Sequence, residues 1–359
     1  MTDSATSTDE ILFEREGALG IVRLNRPKAL NALTHGMCLA LDRALQEWER
    51  DDSVHAVVVR GNGDRAFCAG GDVRHIAKIG REKPDEARAF FRDEYRLNAR
   101  IHRFPKPYIS FLDGVTMGGG FGISVHGSHR IATPKTLFAM PETGIGMFPD
   151  VGGSYFLSRC PGKIGLYLGL SGARLGAGDA IYAGVAQYHV PSEKLDALQH
   201  SLSNAQYGTD RGKTVDSMIR AVATPVPEPT LAAHRAIIDR IFALPTDGAI
   251  VEALRHDGSD FAKETVDKIH HGSPTSVALT HHQIVEGATL KFDDCMRMEW
   301  RMVNRILEGH DFYEGVTALL IDKGRKPEWK PASLAEVTRA DVEAYFAPLP
   351  GGDLAFDWD

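Results

Sequence analysis

The sequence predicts an α/β chain that ends in a helical region, and three observations carry the prediction. Short strand-like runs at 11–25, 56–59 and 108–112 alternate with segments of helical period after Thr34 and at 85–104. Glycine-rich stretches follow strand-like runs at 61–73 and again at 118–122. Beyond residue 273, SPTSVALTHHQIVEGA and DDCMRMEWRMVNRILEG repeat apolar residues at helical spacing with no strand between them.

Taken in order, ILFEREGALGIVRLN (11–25) reads as a hairpin about Gly17, with Val22 and Leu24 alternating against Arg23 and Asn25. NRPKALNALT then leads into a helix capped at Thr34, whose apolar positions are Cys38, Leu41, Leu45 and Trp48. Ala56 to Val59 form a buried-type strand, followed by the loop GNGDRAFCAGGDV (61–73). Gly61, Gly63 and Ala66 match a dinucleotide fingerprint, which needs a helix starting at that point and an acid about 20 residues on. Gly70 and Gly71 interrupt any such helix and Asp72 comes too soon, so a loop of backbone donors fits better. An amphipathic helix over 85–104 stops at Pro105 and Pro107, and the strand Tyr108–Leu112 follows. From 152 to 190 short helical runs are broken by glycine. Residues 193–270 are polar, with PVPEP at 225–229 marking a break, and read as an inserted helical segment.

Composition excludes several classes. The chain of 359 residues is 43% hydrophobic and 25% charged, as in an ordinary soluble protein large enough for one or two domains. A net charge of −7 without a basic stripe argues against nucleic acid and against anionic membranes. Cys38, Cys68, Cys160 and Cys295 are far apart, which indicates neither a disulfide framework nor a zinc site. The N-terminus MTDSATSTDE lacks the apolar core of a signal peptide and the arginines of a transit peptide, and no apolar run reaches the roughly 18 residues of a membrane helix. A cytoplasmic protein is the expectation.

The candidate chemistry lies in LDGVTMGGGFGISVHGSHRIATPKTLFAMPETGIGMFPDVGGSY (112–155). Gly118 to Gly122 open a helix after a strand, so their N–H groups point out at the positive end of the helix dipole, where a developing anion could be held. Glu142 and Asp150 follow in apolar sequence, interrupted by Gly144, Gly146 and Pro149, and therefore lie on an irregular loop. Met140, Met147 and Phe148 would line a pocket and raise the pKa of Glu142 by desolvation. On spacing alone, a glycine-rich packing turn with two solvated acids fits as well. The pairs His270–His271 and His281–His282 point about 100° apart on a helix and do not chelate jointly, and Cys68 reads as a structural thiol.

NRPKALNAL (25–33), AFCAGGD (66–72), DGVTMGGGFG (113–122) and PETGIGMFPDVGG (141–153), with HDFYEGVTALLIDKGRKPEWK (310–330), together resemble the crotonase, or enoyl-CoA hydratase/isomerase, superfamily over about 11–190 and 273–330. The resemblance implies a crotonase-like spiral of ββα turns over 11–192, a helical insert over 193–270 and a C-terminal helical region over 271–345. It implies acyl-CoA thioesters as substrates, with oxyanion donors at Gly71 and Gly119 and a CoA-binding stretch at Lys28, Ala29, Leu30 and Ala69. Hydratases of the superfamily place one glutamate two residues after the GGG, where this chain has Gly122, and a second at the position of Glu142. Glu142 with Asp150 instead resembles the 3-hydroxyisobutyryl-CoA hydrolase branch, in which Glu94 also matches a substrate-contacting glutamate.

The expected reaction is hydrolysis of a short-chain 3-hydroxyacyl-CoA, with Glu142 and Asp150 catalytic and Glu94, Gly119, Glu142 and Asp150 touching the substrate. Glu142 is either nucleophile or general base. An enoyl-CoA hydratase or isomerase and a non-catalytic acyl-CoA-binding protein are the competing readings. No metal or separate cofactor is expected, since coenzyme A belongs to the substrate, and the C-terminal helices leave room for a homo-oligomer.

Overall fold

Among the described residues, 9–359 of the computed structural model, nine strands form two sheets. They are β1 (Ile11–Glu16), β2 (Leu19–Leu24), β3 (Ala56–Gly61), β4 (Ala66–Cys68), β5 (Tyr108–Leu112), β6 (Val115–Met117), β7 (His129–Ala132), β8 (Leu137–Ala139) and β9 (Tyr188–His189). The larger sheet has the order β1-β2-β3-β5-β7-β9 and the smaller β4-β6-β8. From β3 onward consecutive strands therefore go alternately to the two sheets, with a helix returning the chain to the next pair. This is the spiral of ββα turns that the sequence resemblance implies.

The chain falls into two units. The first comprises residues 9–71, 96–138 and 175–230. Its hairpin is confirmed, with Ile11 opposite Leu24 and Glu16 opposite Leu19, and every later pair in the large sheet is parallel. The helix His35–Arg50 starts where Thr34 accepts the Met37 N–H at 3.3 Å, and it buries Cys38, Leu41, Leu45 and Trp48 as their spacing requires. One face of the large sheet, including Leu19, Ile21, Val58, Ile109, Phe111 and Ile131, is covered by the helices Leu195–Ser203 and Arg211–Val222 through Leu198, Leu202, Val215 and Ile219.

The second unit, residues 72–95, 139–174 and 231–359, is mostly helical. Its centre is the helix Ile164–Ser171, buried on all sides, as its uninterrupted apolar sequence demands. Packed against it are Arg235–Ile241, Asp260–His271 and Pro274–Gly287. Beside these lies Phe292–Ile306, whose apolar stripe includes Cys295, Met296, Met302, Val303 and Ile306. The four cysteines are buried thiols. His270 and His271 are exposed, whereas His281 and His282 are half-buried. No helix of the described residues is long and apolar enough to cross a membrane.

Candidate active site

In the first unit two loops expose backbone donors. Beyond β4 the chain turns at Gly70, φ +118°, and Gly71 bridges Leu33, whose N–H donates to the Gly70 carbonyl at 2.8 Å. Beyond β6, Gly118 at φ +48° precedes the helix Gly119–Val125, whose first-turn N–H groups have no acceptor inside the helix. The two loops touch. A Cβ at Gly70 would stand 3.7 Å from the Gly119 nitrogen, and one at Gly120 would overlap the Cys68 carbonyl. Gly120 is thus required by close approach of backbone to backbone and Gly70 by its positive φ, and the structure brings the Gly71 and Gly119 loops together.

The same unit holds the stretch matched to CoA binding. Buried Asn31, in the left-handed region at φ +57°, donates to the carbonyls of Asn62 at 3.0 Å and Ala66 at 2.9 Å and accepts the Arg26 N–H at 3.0 Å. It thereby fastens 26–33 to 62–66. Lys28 and Leu30 line a cavity of about 140 Å³ with Asn62, Asp64 and Arg65. Ala29 ends the short turn Pro27–Ala29, and the Ala69 N–H donates to Leu30 at 3.0 Å. A cavity of that volume is smaller than the several hundred Å³ of a drug-sized site, and would take only part of a CoA molecule.

In the second unit the acids come together. Glu94 and Tyr95 lie on the helix Pro84–Arg103, Glu142 begins the tight turn Glu142–Ile145, and Asp150 precedes the short helix Gly153–Leu157. Glu94 is 2% exposed, Glu142 6% and Asp150 5%. Met140, Met147 and Phe148 are buried beside them in the chain. Burial, and secondly the nearby Asp150 carboxylate, raises the pKa of both Glu94 and Glu142 well above the ordinary range. Asp150 itself is pushed up to about 7 by burial, against the Tyr95 hydroxyl that donates to its Oδ2 at 2.9 Å. One oxygen each of Glu94 and Glu142 is buried without a hydrogen-bond partner.

Three residues around these acids escape a sequence reading. Tyr95 is one. Glu299, 0% exposed on Phe292–Ile306, accepts the N–H of Gly152 at 2.8 Å and of Ser154 at 3.0 Å, and also the Ser154 hydroxyl. Burial raises its pKa to about 8 despite those donors. Gln283, on Pro274–Gly287, donates to the Pro149 carbonyl at 2.6 Å. The signal that could have found Glu299 and Gln283 is their place on otherwise buried helix faces.

Spiral, paired glycine loops and buried acids define a class: the chain belongs to the enoyl-CoA hydratase/isomerase family, whose model matches residues 19–346. Among its relatives, 3-hydroxyisobutyryl-CoA hydrolase, mitochondrial, of Danio rerio is 45% identical over 98% of this chain and 93% of the relative. The protein of the same name from Homo sapiens is 42% identical over 99% and 93%. A crystal structure of a carnitinyl-CoA dehydratase from Mycobacterium thermoresistibile superposes with a TM-score of 0.91 at 43% identity, covering 98% of this chain and all of the other. An enoyl-CoA hydratase from Rhodobacter sphaeroides 2.4.1 gives 0.88 at 36%, covering 97% and all of it.

These names correct the cytoplasmic expectation, since the hydrolases it resembles are named mitochondrial. That expectation rests on the polar N-terminus, of which residues 1–8 lie outside the described ones. Compartment is decided by an address that a receptor reads, and the folded body's composition is the same on either side of a membrane.

Proposed function

We propose that the protein hydrolyses 3-hydroxyisobutyryl-CoA, a short-chain 3-hydroxyacyl thioester, to the free acid and CoA. The observation that carries this reading is the buried pair Glu142 and Asp150, with Asp150 acting electrostatically on Glu142; the names of the relatives support the substrate. In the proposal the N–H groups of Gly71 and Gly119 each donate to the thioester oxygen as negative charge develops. Glu142 attacks the carbonyl carbon, the C–S bond breaks and CoA leaves as thiolate, and water opens the mixed anhydride. Alternatively Glu142 takes a proton from water that attacks directly. A thiol of pKa about 8.5 leaves without strong acid help, so no further general acid is required. Raised pKa values suit either role, because they make the ionised carboxylate more basic. Asp150 accepts the substrate's 3-hydroxyl group and Glu94 contacts the acyl part. Lys28, Ala29, Leu30 and Ala69 hold the CoA portion, and the C-terminal helices are available for self-association.

The names hydratase and dehydratase borne by the solved structures favour a second reading, water addition to an enoyl-CoA. Gly122 in place of a glutamate two residues past the GGG opposes it. Thiol release from 3-hydroxyisobutyryl-CoA, measured beside hydration of crotonyl-CoA, decides: hydration without thiol release would overturn the hydrolase. A single turnover in oxygen-18 water tests for the anhydride: label in the enzyme carboxylate requires it, whereas label only in the product follows from direct attack or from water opening the anhydride at the substrate acyl carbon. For Asp150, the ratio of kcat/KM for 3-hydroxyisobutyryl-CoA over isobutyryl-CoA should be large, up to about 10⁴, because a site built for a hydroxyl is left unsatisfied without one. Asp150→Ala should shrink it; an unchanged ratio removes Asp150 from hydroxyl recognition.

A further inference from the structure

Asp150 sits in a turn closed by one local bond, from the Gly153 N–H to the Asp150 carbonyl at 2.8 Å. Val151 has φ +53° and Gly152 φ +85°, two successive residues in the left-handed region, and for β-branched Val151 that conformation costs on the order of 1 kcal/mol or more. Such a backbone persists only where surrounding bonds fix it. Here two helices late in the chain add bonds on either side of that local one. Gln283 takes the carbonyl of Pro149, immediately before Asp150, and Glu299 takes the N–H groups of Gly152 and Ser154, just after it. Both side chains are 0% exposed.

The chemistry of Glu299 is informative. No cation among the described residues pairs with it, and burying a carboxylate in that way costs several kcal/mol, whereas a methionine or leucine would fill the space without that cost. The ionised form, which the Gly152 and Ser154 donors favour against burial, presents acceptors on both oxygens, and here Oε2 receives Gly152 while Oε1 receives Ser154. A glutamine could accept only one of the two N–H groups and would turn its own NH₂ toward the other. The requirement for two acceptors is a requirement for one fixed turn.

We propose that Glu299 and Gln283 are positioning residues for Asp150, holding its carboxylate where the 3-hydroxyl group of the substrate is read, so that selection of hydroxyacyl over plain acyl thioesters depends on the C-terminal helices. This rests on the function proposed above. A merely structural role would lower stability and all activities together, and would add to the effect of any other substitution. A positioning role acts through Asp150 and vanishes when Asp150 is gone.

The test is a double-mutant cycle on wild type, Glu299→Gln, Asp150→Ala and the double variant. The readout is the ratio of kcat/KM for 3-hydroxyisobutyryl-CoA over isobutyryl-CoA, followed by thiol release. Glu299→Gln is expected to lower the ratio at least about tenfold in the wild-type background and less than about twofold in the Asp150→Ala background. A folded Glu299→Gln with the wild-type ratio overturns the positioning role, as does a full tenfold effect without Asp150. Should Glu299→Gln fail to fold by circular dichroism, Gln283→Met, which keeps the volume and deletes the donor to Pro149, is read by the same two criteria. Wild type that releases no thiol from 3-hydroxyisobutyryl-CoA overturns the proposed function and this role with it. Release with an unchanged ratio in the variants overturns the role alone.

Discussion

Removing one hydroxyl group, in Tyr95→Phe, should move the pH dependence of the reaction. The Tyr95 ring is fully buried and its edge meets Phe91 at 6.1 Å between centroids, so phenylalanine fills the same space and opens no cavity. What is lost is the hydrogen bond to Asp150 Oδ2 at 2.9 Å. A hydrogen bond to a charged group contributes about 1.5–3 kcal/mol, and one pKa unit is about 1.4 kcal/mol, so the carboxyl should rise by about 1 to 2 units. The sign follows from which form is favoured: the hydroxyl donates to the ionised carboxylate and holds its pKa down against burial, so deleting it raises a value already near 7. If the reaction needs ionised Asp150, kcat/KM at pH 7 falls about 5- to 50-fold and recovers toward wild type as pH passes the new pKa. The assay is thiol release from 3-hydroxyisobutyryl-CoA from about pH 5.5 to about pH 10, with thermal unfolding as the control for folding. An acid limb that stays in place, or a loss equally large at both ends of the range, would refute the reasoning.

Glu142→Gln keeps the size and removes the proposed nucleophile or base, and should lower kcat at least about 10²-fold with KM little changed; near-normal turnover contradicts the assignment. Gly120→Ala places a methyl group against the Cys68 carbonyl, backbone that cannot yield cheaply, and should cost about 1–3 kcal/mol in denaturant unfolding together with a fall in kcat. An unchanged midpoint and rate would show that the two donor loops are not in register. Asn31→Ala unfastens the wall of the cavity beside Lys28 and should raise KM for the CoA ester but not for the matching N-acetylcysteamine thioester, which lacks the adenosine part; an equal rise with both would remove that cavity from CoA recognition.

The sequence announces the helix after Thr34 because Cys38, Leu41, Leu45 and Trp48 repeat over four turns, enough to reveal a period. It announces β3 and β5 because AVVV and YISFL are short, mostly apolar runs, and the structure buries both. It does not announce β4, β6 and β8, since a strand of three residues is too short to show alternation. The glycines at 70 and 118 are conspicuous for the same reason that they are needed, a positive φ that other residues avoid. Glu299 is hidden by its neighbours: DDCMRMEWRMVNRI carries many charges, and one more reads as solvated surface. Counted at helical spacing, however, Phe292, Cys295, Met296, Met302, Val303 and Ile306 form a stripe, and Glu299 falls inside it. An acid on an apolar stripe is legible once its partners are known, and those partners lie some 145 residues away in the chain, at Gly152 and Ser154.

The alternation of strands between the two sheets has a consequence for how such a chain can change. Gly71, Gly119 and Glu142 lie three, two and three residues past the ends of β4, β6 and β8, the three strands of the small sheet. Each turn of the spiral thus delivers one position of the proposed site two or three residues beyond the small sheet's ladder. Gly119 and Glu142 take no part in strand pairing and Gly71 makes only an isolated bridge to Leu33, so a change at these positions leaves the ladder of the small sheet intact. Exchange at such a step can therefore be tested one position at a time with both sheets left in place.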